Sequence, residues 1–88
     1  MLDNDGIIVD VRTENEFLTG NIENSINIPL SEISTKIKKI QVEKNQPIIM
    51  CCASGMRSAT AKQILKASGY TNVVNGGGWK SLEKKLNK

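Results

Sequence analysis

Two largely apolar runs constrain this chain more than anything else in it. Gly6-Ile7-Ile8-Val9-Asp10-Val11 and Ile48-Ile49-Met50-Cys51-Cys52 are largely apolar without alternation. A strand that is apolar at successive positions must be covered on both faces, which is the habit of parallel sheets. Helical patterns lie between and after these runs. Thr13 and Glu16 have capping-box spacing, so a short helix is expected from about residue 14, ended by Gly20. Residues 25–28 read as a brief strand stopped by Pro29, and Ser31 as the N-cap of a helix whose apolar stripe is Ile33, Ile37 and Ile40. A helix beginning at Arg57 or Ser58 carries Ala61, Ile64, Leu65 and Ser68 on one side. Gly69 then stands at a left-handed C′ position, with Tyr70 packing back on Leu65. Val73-Val74 read as a third short strand, Gly76-Gly77-Gly78 as a turn, and Trp79, Leu82 and Leu86 as the inward face of a last helix. Alternating strands and helices predict an α/β fold, a small parallel sheet with helices on both faces. With 88 residues the expectation is a single domain over 1–88. Ligands of such sheets bind beyond the carboxyl ends of the strands, where Asp10, Arg12, Cys52 and the Gly76 turn all fall.

The chemistry concentrates after the second run, in Cys52-Ala53-Ser54-Gly55-Met56-Arg57-Ser58. A loop curling into a helix N-terminus aims several backbone N–H groups at one point, and the helix dipole adds positive character there. A thiol held at that point deprotonates more easily. Gly55 permits the bend, Arg57 supplies a planar fork of donors for an oxyanion, and Ser58 is placed to bond the sulfur or cap the helix. Strand alternation turns Cys51 away from Cys52, toward a helix layer. Counted from Cys51 the loop is C-x5-R, the spacing of tyrosine-phosphatase-like and arsenate-reducing enzymes; counted from Cys52 it is C-x4-R. The chain has no histidine, which excludes Ser-His-Asp and Cys-His catalysis and most transition-metal sites; no metal and no cofactor are expected.

The loop is similar to the C-x-x-G-x-R-S active loop of single-domain rhodaneses, the sulfurtransferases. A second segment agrees: Asp10-Val11-Arg12, then Glu16-Phe17, then Gly20 through Pro29, resembles that family's D-V-R…E-F…G-H-I-x-x-A-x-N-I-P run. With Gly76-Gly77 the resemblance covers roughly residues 7 to 82. It implies that Cys52 takes a sulfane sulfur as a persulfide and passes it to a thiol or cyanide. It further implies that Ala53, Ser54, Gly55, Met56, Arg57 and Ser58 form the substrate-binding loop, and that Asp10 and Arg12 support it structurally. The family has histidine where this chain has Asn21, and its tryptophan falls about three residues beyond Trp79, at Leu82. Rhodanese domains carry a strand and a helix before the D-V-R strand, and this chain reads as lacking that unit. Two further functions compete: phosphatase or arsenate-reductase-like oxyanion chemistry from Cys51, and a persulfide carrier or binding module with little turnover of its own.

The expected partners are a small anionic sulfur donor and a protein that donates a persulfide or offers an acceptor thiol. A net charge of +3 gives a mild pull on anions. The loose cluster Lys80, Lys84, Lys85 and Lys88 reads as a solvated face, and without interleaved aromatics it predicts no nucleic-acid binding. No apolar run is long enough to span a membrane, and Met1-Leu2-Asp3-Asn4-Asp5 is no signal sequence, so a cytoplasmic, reduced protein is expected.

Overall fold

The computed structural model describes residues 6–86; Met1–Asp5, Asn87 and Lys88 lie outside the described residues. Four strands form one sheet: β1 (Ile7–Asp10), β2 (Ile26–Asn27), β3 (Ile48–Cys52) and β4 (Val73–Gly78). Their order is β2-β1-β3-β4 and every pair is parallel. Helices α1 (Glu14–Leu18), α2 (Ile33–Lys39), α3 (Met56–Ala67) and α4 (Trp79–Leu86) make the connections and the cover. This is the expected parallel α/β architecture.

The period of two along β3 divides the interior into two layers. Ile48, Met50 and Cys52 join Val9, Val11, Ile33, Ile37, Ala61 and Leu65 on the face covered by α2 and α3. Cys51 joins Ile8, Ile22 and Leu82 on the other face, with Ile49, Trp79 and Leu86 packed at its margin. The apolar runs therefore lack alternation because each strand feeds a core on both sides.

Local signals set most boundaries. Thr13 and Glu16 form the reciprocal capping box of α1, each side chain meeting the other's backbone N–H. Helix α3 ends in a Schellman motif: Tyr70 N–H meets the Leu65 carbonyl at 3.1 Å, Gly69 N–H meets Lys66 at 3.0 Å, and Gly69 sits at φ +100°. Tyr70 is buried beside Leu65 in the α3-side core.

Four expectations need correction. Ser31 does not cap α2. Leu30–Glu32 form a 3-10 turn anchored by Leu30 N–H on the Val11 carbonyl at 3.1 Å, so Ser31 lies inside it. Glu32 takes the N-cap position without a capping bond from its side chain, which pairs with Lys36 instead, and Ile40 lies past the helix end, 37% exposed. Gly76-Gly77-Gly78 is not a turn; it is the end of β4, bulged where Met50 pairs with Asn75 and Cys52 with Gly78. A Cβ on Gly76 would stand 2.9 Å from Ile49 Cγ2 and 3.0 Å from the Met50 carbonyl oxygen, so only glycine lets β4 lie this close to β3. Finally, α3 begins at Met56, ahead of Arg57, because Gly55 already occupies the N-cap position.

Candidate active site

Strand β1 leaves the sheet through a rigid polar knot. Arg12 Nη2 lies 2.6 Å from Asp10 Oδ2, and Arg12 Nε lies 3.0 Å from both carboxylate oxygens. Both residues are buried. The guanidinium also donates to the Glu16 and Gly20 carbonyls at 3.2 and 2.7 Å and stacks 4.7 Å from the Trp79 ring centroid. Asn27 donates from one amide to the Asp10 and Arg12 carbonyls. Asp10 and Arg12 thus tie α1, the Gly20 turn and α4 to the end of β1. Trp79 is an anchor of the α4 side; a Cβ on Gly20 would come within 3.0 Å of its ring. Asn21 is exposed and donates to the Phe17 carbonyl at 2.9 Å, a local turn contact.

Cys52 ends β3, and the chain then bends through Ala53 and Ser54 into Gly55, at φ +103°. That left-handed conformation, open to glycine at little cost, turns the Gly55 N–H back onto Cys52 Sγ at 2.8 Å. The Ser58 hydroxyl lies 3.6 Å from the same sulfur. Burial works against charge on Cys52, but the Ser58 hydroxyl and the backbone N–H groups of Ser58, Ser54 and Gly55 outweigh it and hold the thiol below its usual range. The loop is also clasped from β4: a Cβ on Gly78 would stand 2.9 Å from the Ala53 carbonyl oxygen, and one on Gly55 would stand 3.3 Å from Gly77 Cα.

Cys51, one residue earlier, has the opposite environment. It is fully buried on the α4 side, and burial, helped by the nearby Asp10 charge, pushes its thiol up to about 12. Both cysteines are free thiols. The C-x5-R count therefore begins at a residue that does not face the loop.

Arg57 is partnered: its Nη1 and Nη2 donate to Glu16 Oε1 and Oε2 at 2.6 and 2.9 Å. This pairing, with the Thr13 N–H, lowers the Glu16 carboxyl to about 2. Ala53, Ser54 and Met56 are exposed on the rim, and Met56 is 79% accessible. Two side chains have roles at the site that the sequence did not announce. Glu16 reaches Arg57 across 41 positions, whereas its capping-box spacing and its place in the Glu16-Phe17 segment said nothing of that pairing. Asn75 bonds Ser58 and Gly55 from a strand in which nothing marks it as special.

A parallel α/β domain with a buried, acidified thiol at a strand end, facing the N-terminus of the next helix, defines a class of cysteine-loop proteins suited to sulfur or oxyanion chemistry. The comparisons with known proteins narrow it. The rhodanese-like domain model matches residues 1–85, and the chain belongs to the rhodanese-like family. Thiosulfate sulfurtransferase PspE of Escherichia coli (strain K12) is 36% identical over 74 residues, 84% of this chain and 71% of that protein. The rhodanese domain-containing protein CG4456 of Drosophila melanogaster is 40% identical over 82 residues, 80% of this chain and 74% of that one. Among solved structures, a rhodanese with anions from E. coli superposes with a TM-score of 0.81 at 36% identity, covering 85% of this chain and 88% of that one. No helix among the described residues is long and apolar enough to cross a membrane. No group of three or more His, Cys, Asp or Glu side chains among them could hold a metal.

Proposed function

We propose that this protein is a sulfurtransferase that moves a sulfane sulfur from thiosulfate or a persulfide donor to a thiol or cyanide through a persulfide on Cys52. The observation that carries this reading is the Gly55 N–H held 2.8 Å from Cys52 Sγ, inside a loop whose other amides converge on the same atom. The Cys52 thiolate attacks the outer sulfur of thiosulfate. A Cys52–sulfur bond forms, the sulfur–sulfur bond of the donor breaks, and sulfite leaves with the electron pair. An acceptor such as cyanide then attacks the terminal sulfur, forming thiocyanate and returning the thiolate. Neither step needs a proton-shuttling base, because fixed amide dipoles hold the negative charge on sulfur in each resting state. That suits a chain without histidine.

Ala53, Ser54, Gly55, Met56 and Ser58 supply the loop that receives the donor. Arg57 spends part of its donor fork on Glu16 and keeps the remaining N–H groups for the sulfonate or sulfite end. The relative named as a thiosulfate sulfurtransferase supports the choice of donor. The cytoplasm is the proposed location, since thiols there are kept reduced. Donor and acceptor are small anions or protein thiols; no nucleic acid enters the scheme.

The test is thiocyanate production from thiosulfate and cyanide by wild type, Cys51→Ala and Cys52→Ala. Turnover lost only in Cys52→Ala is the expected result. Negligible wild-type turnover beside rapid sulfur uptake from a protein persulfide would recast the protein as a carrier. Phosphatase activity lost in Cys51→Ala and retained in Cys52→Ala would move the chemistry to Cys51.

A further inference from the structure

Asn75 is exposed, yet its side-chain amide is engaged at both ends. Its Oδ1 accepts from the Gly77 N–H at 2.9 Å and lies 2.6 Å from Ser58 Oγ, while its Nδ2 donates to the Gly55 carbonyl at 3.2 Å. Of the two ends of the amide, the Gly77 N–H can meet only the oxygen, and the Gly55 carbonyl, which also accepts from the Ala59 N–H at 3.1 Å, can meet only the N–H end. These two backbone groups therefore fix which way the amide points. The same Gly55 whose N–H rests on the Cys52 sulfur thus has its carbonyl held from β4. The Ser58 hydroxyl, the other polar group beside the sulfur, is held by the same amide.

We infer that Asn75 is a positioning residue for Cys52, clamping the Gly55 carbonyl and the Ser58 hydroxyl to β4 so that the Gly55 amide stays on the sulfur. Its effect on turnover rests on the reading of Cys52 as the nucleophile; its effect on the thiol does not. Ser58 has a single hydroxyl proton and three neighbours that can accept it: Asn75 Oδ1 at 2.6 Å, the Gly55 carbonyl at 3.1 Å and Cys52 Sγ at 3.6 Å. With Asn75 closest, the neutral thiol donates its own proton to Ser58 Oγ, and the hydroxyl turns to the sulfur when the thiolate forms. The backbone N–H donors keep their places in both states, and the Gly55 N–H sits 2.8 Å from the sulfur, so holding Gly55 matters most. Arg57 from α3 and Cys51 within β3 are titratable groups coupled to the sulfur, and Asp10 of β1 is coupled to both. Strand β4 brings no titratable side chain.

The experiment is the pH dependence of Cys52 alkylation, followed by peptide mass mapping, in wild type, Asn75→Ala and Asn75→Asp, with circular dichroism to establish folding. Asn75→Ala should raise the midpoint enough to cut the rate about threefold on the acid side. Asn75→Asp keeps the two acceptor contacts, loses the donation to Gly55 and adds a like charge, so the loss should be larger, about tenfold. Asn75 is exposed, so both variants should fold; Asn75→Ala reports on the clamp without an added charge, and Asn75→Asp shows the further effect of a like charge at the same place. Midpoints equal to wild type in a folded variant, with melting temperature the only property changed, would overturn the inference and leave Asn75 a structural residue. Raised midpoints in a protein that never turns over thiosulfate would uphold the clamp while refuting the thiosulfate reading.

Discussion

Cys51 and Cys52 are neighbours with opposite fates, decided by the two-residue alternation of one strand. Cys52 meets loop amides and Ser58; Cys51 meets Ile8, Ile22 and Leu82. Cys51→Ala should therefore keep sulfurtransferase turnover and cost about 1 kcal/mol of stability, measured by urea unfolding. In the native protein the depressed Cys52 thiol becomes thiolate earlier than an ordinary cysteine as pH rises. Its alkylation rate should accordingly reach a plateau with a midpoint below about 8.5, while Cys51 stays unreacted until the chain unfolds. Arg57→Ala should raise KM for thiosulfate about tenfold with a smaller change in kcat, the loss of one charge-assisted hydrogen bond; an unchanged KM would remove Arg57 from the donor site. The cysteine, its glycine and its serine were legible because they lie within seven consecutive residues. Glu16 and Asn75 were not, because each reaches the loop only once the sheet has formed, and side-chain pairing across 41 or 20 positions leaves no local pattern.

At the scale of elements, both long apolar runs, the capping box and the Schellman ending could be read directly, since each is set by neighbours within a few residues. Two of the misreadings share a cause: a tertiary partner overrode a local preference. Leu30 N–H is taken by Val11, which draws Ser31 into a 3-10 turn, and β3 draws three successive glycines into a strand. Two glycine substitutions separate these influences. Gly69→Ala meets nothing closer than 3.6 Å and suffers only from its left-handed backbone, so it should lower stability by about 1–2 kcal/mol and leave Cys52 reactivity intact. Gly78→Ala drives a Cβ to 2.9 Å from the Ala53 carbonyl oxygen and must move the loop or the strand. It should slow Cys52 alkylation and sulfur transfer out of proportion to its effect on the urea midpoint.

For the whole molecule, a single-layer sheet with a thin core on each side leaves a small stability margin, about 4–13 kcal/mol at the usual yield per residue. The Asp10–Arg12 knot is buried and joins β1 to α1, the Gly20 turn and Trp79. Removing one member strands the other charge inside, at a cost of about 3–5 kcal/mol. Arg12→Ala should therefore collapse the urea midpoint or leave the protein unfolded at room temperature. The same knot sits at the carboxyl end of β1, beside the β3 end that carries Cys52, so fold and site share one edge of the sheet. The most direct measurement is the location of the sulfur itself: incubation with thiosulfate, removal of excess donor, and peptide mass analysis without reduction. A gain of one sulfur on Cys52, discharged by cyanide and absent from Cys51, is the predicted result. A protein that turns over thiosulfate with Cys52 unmodified, or with the added sulfur on Cys51, would contradict it.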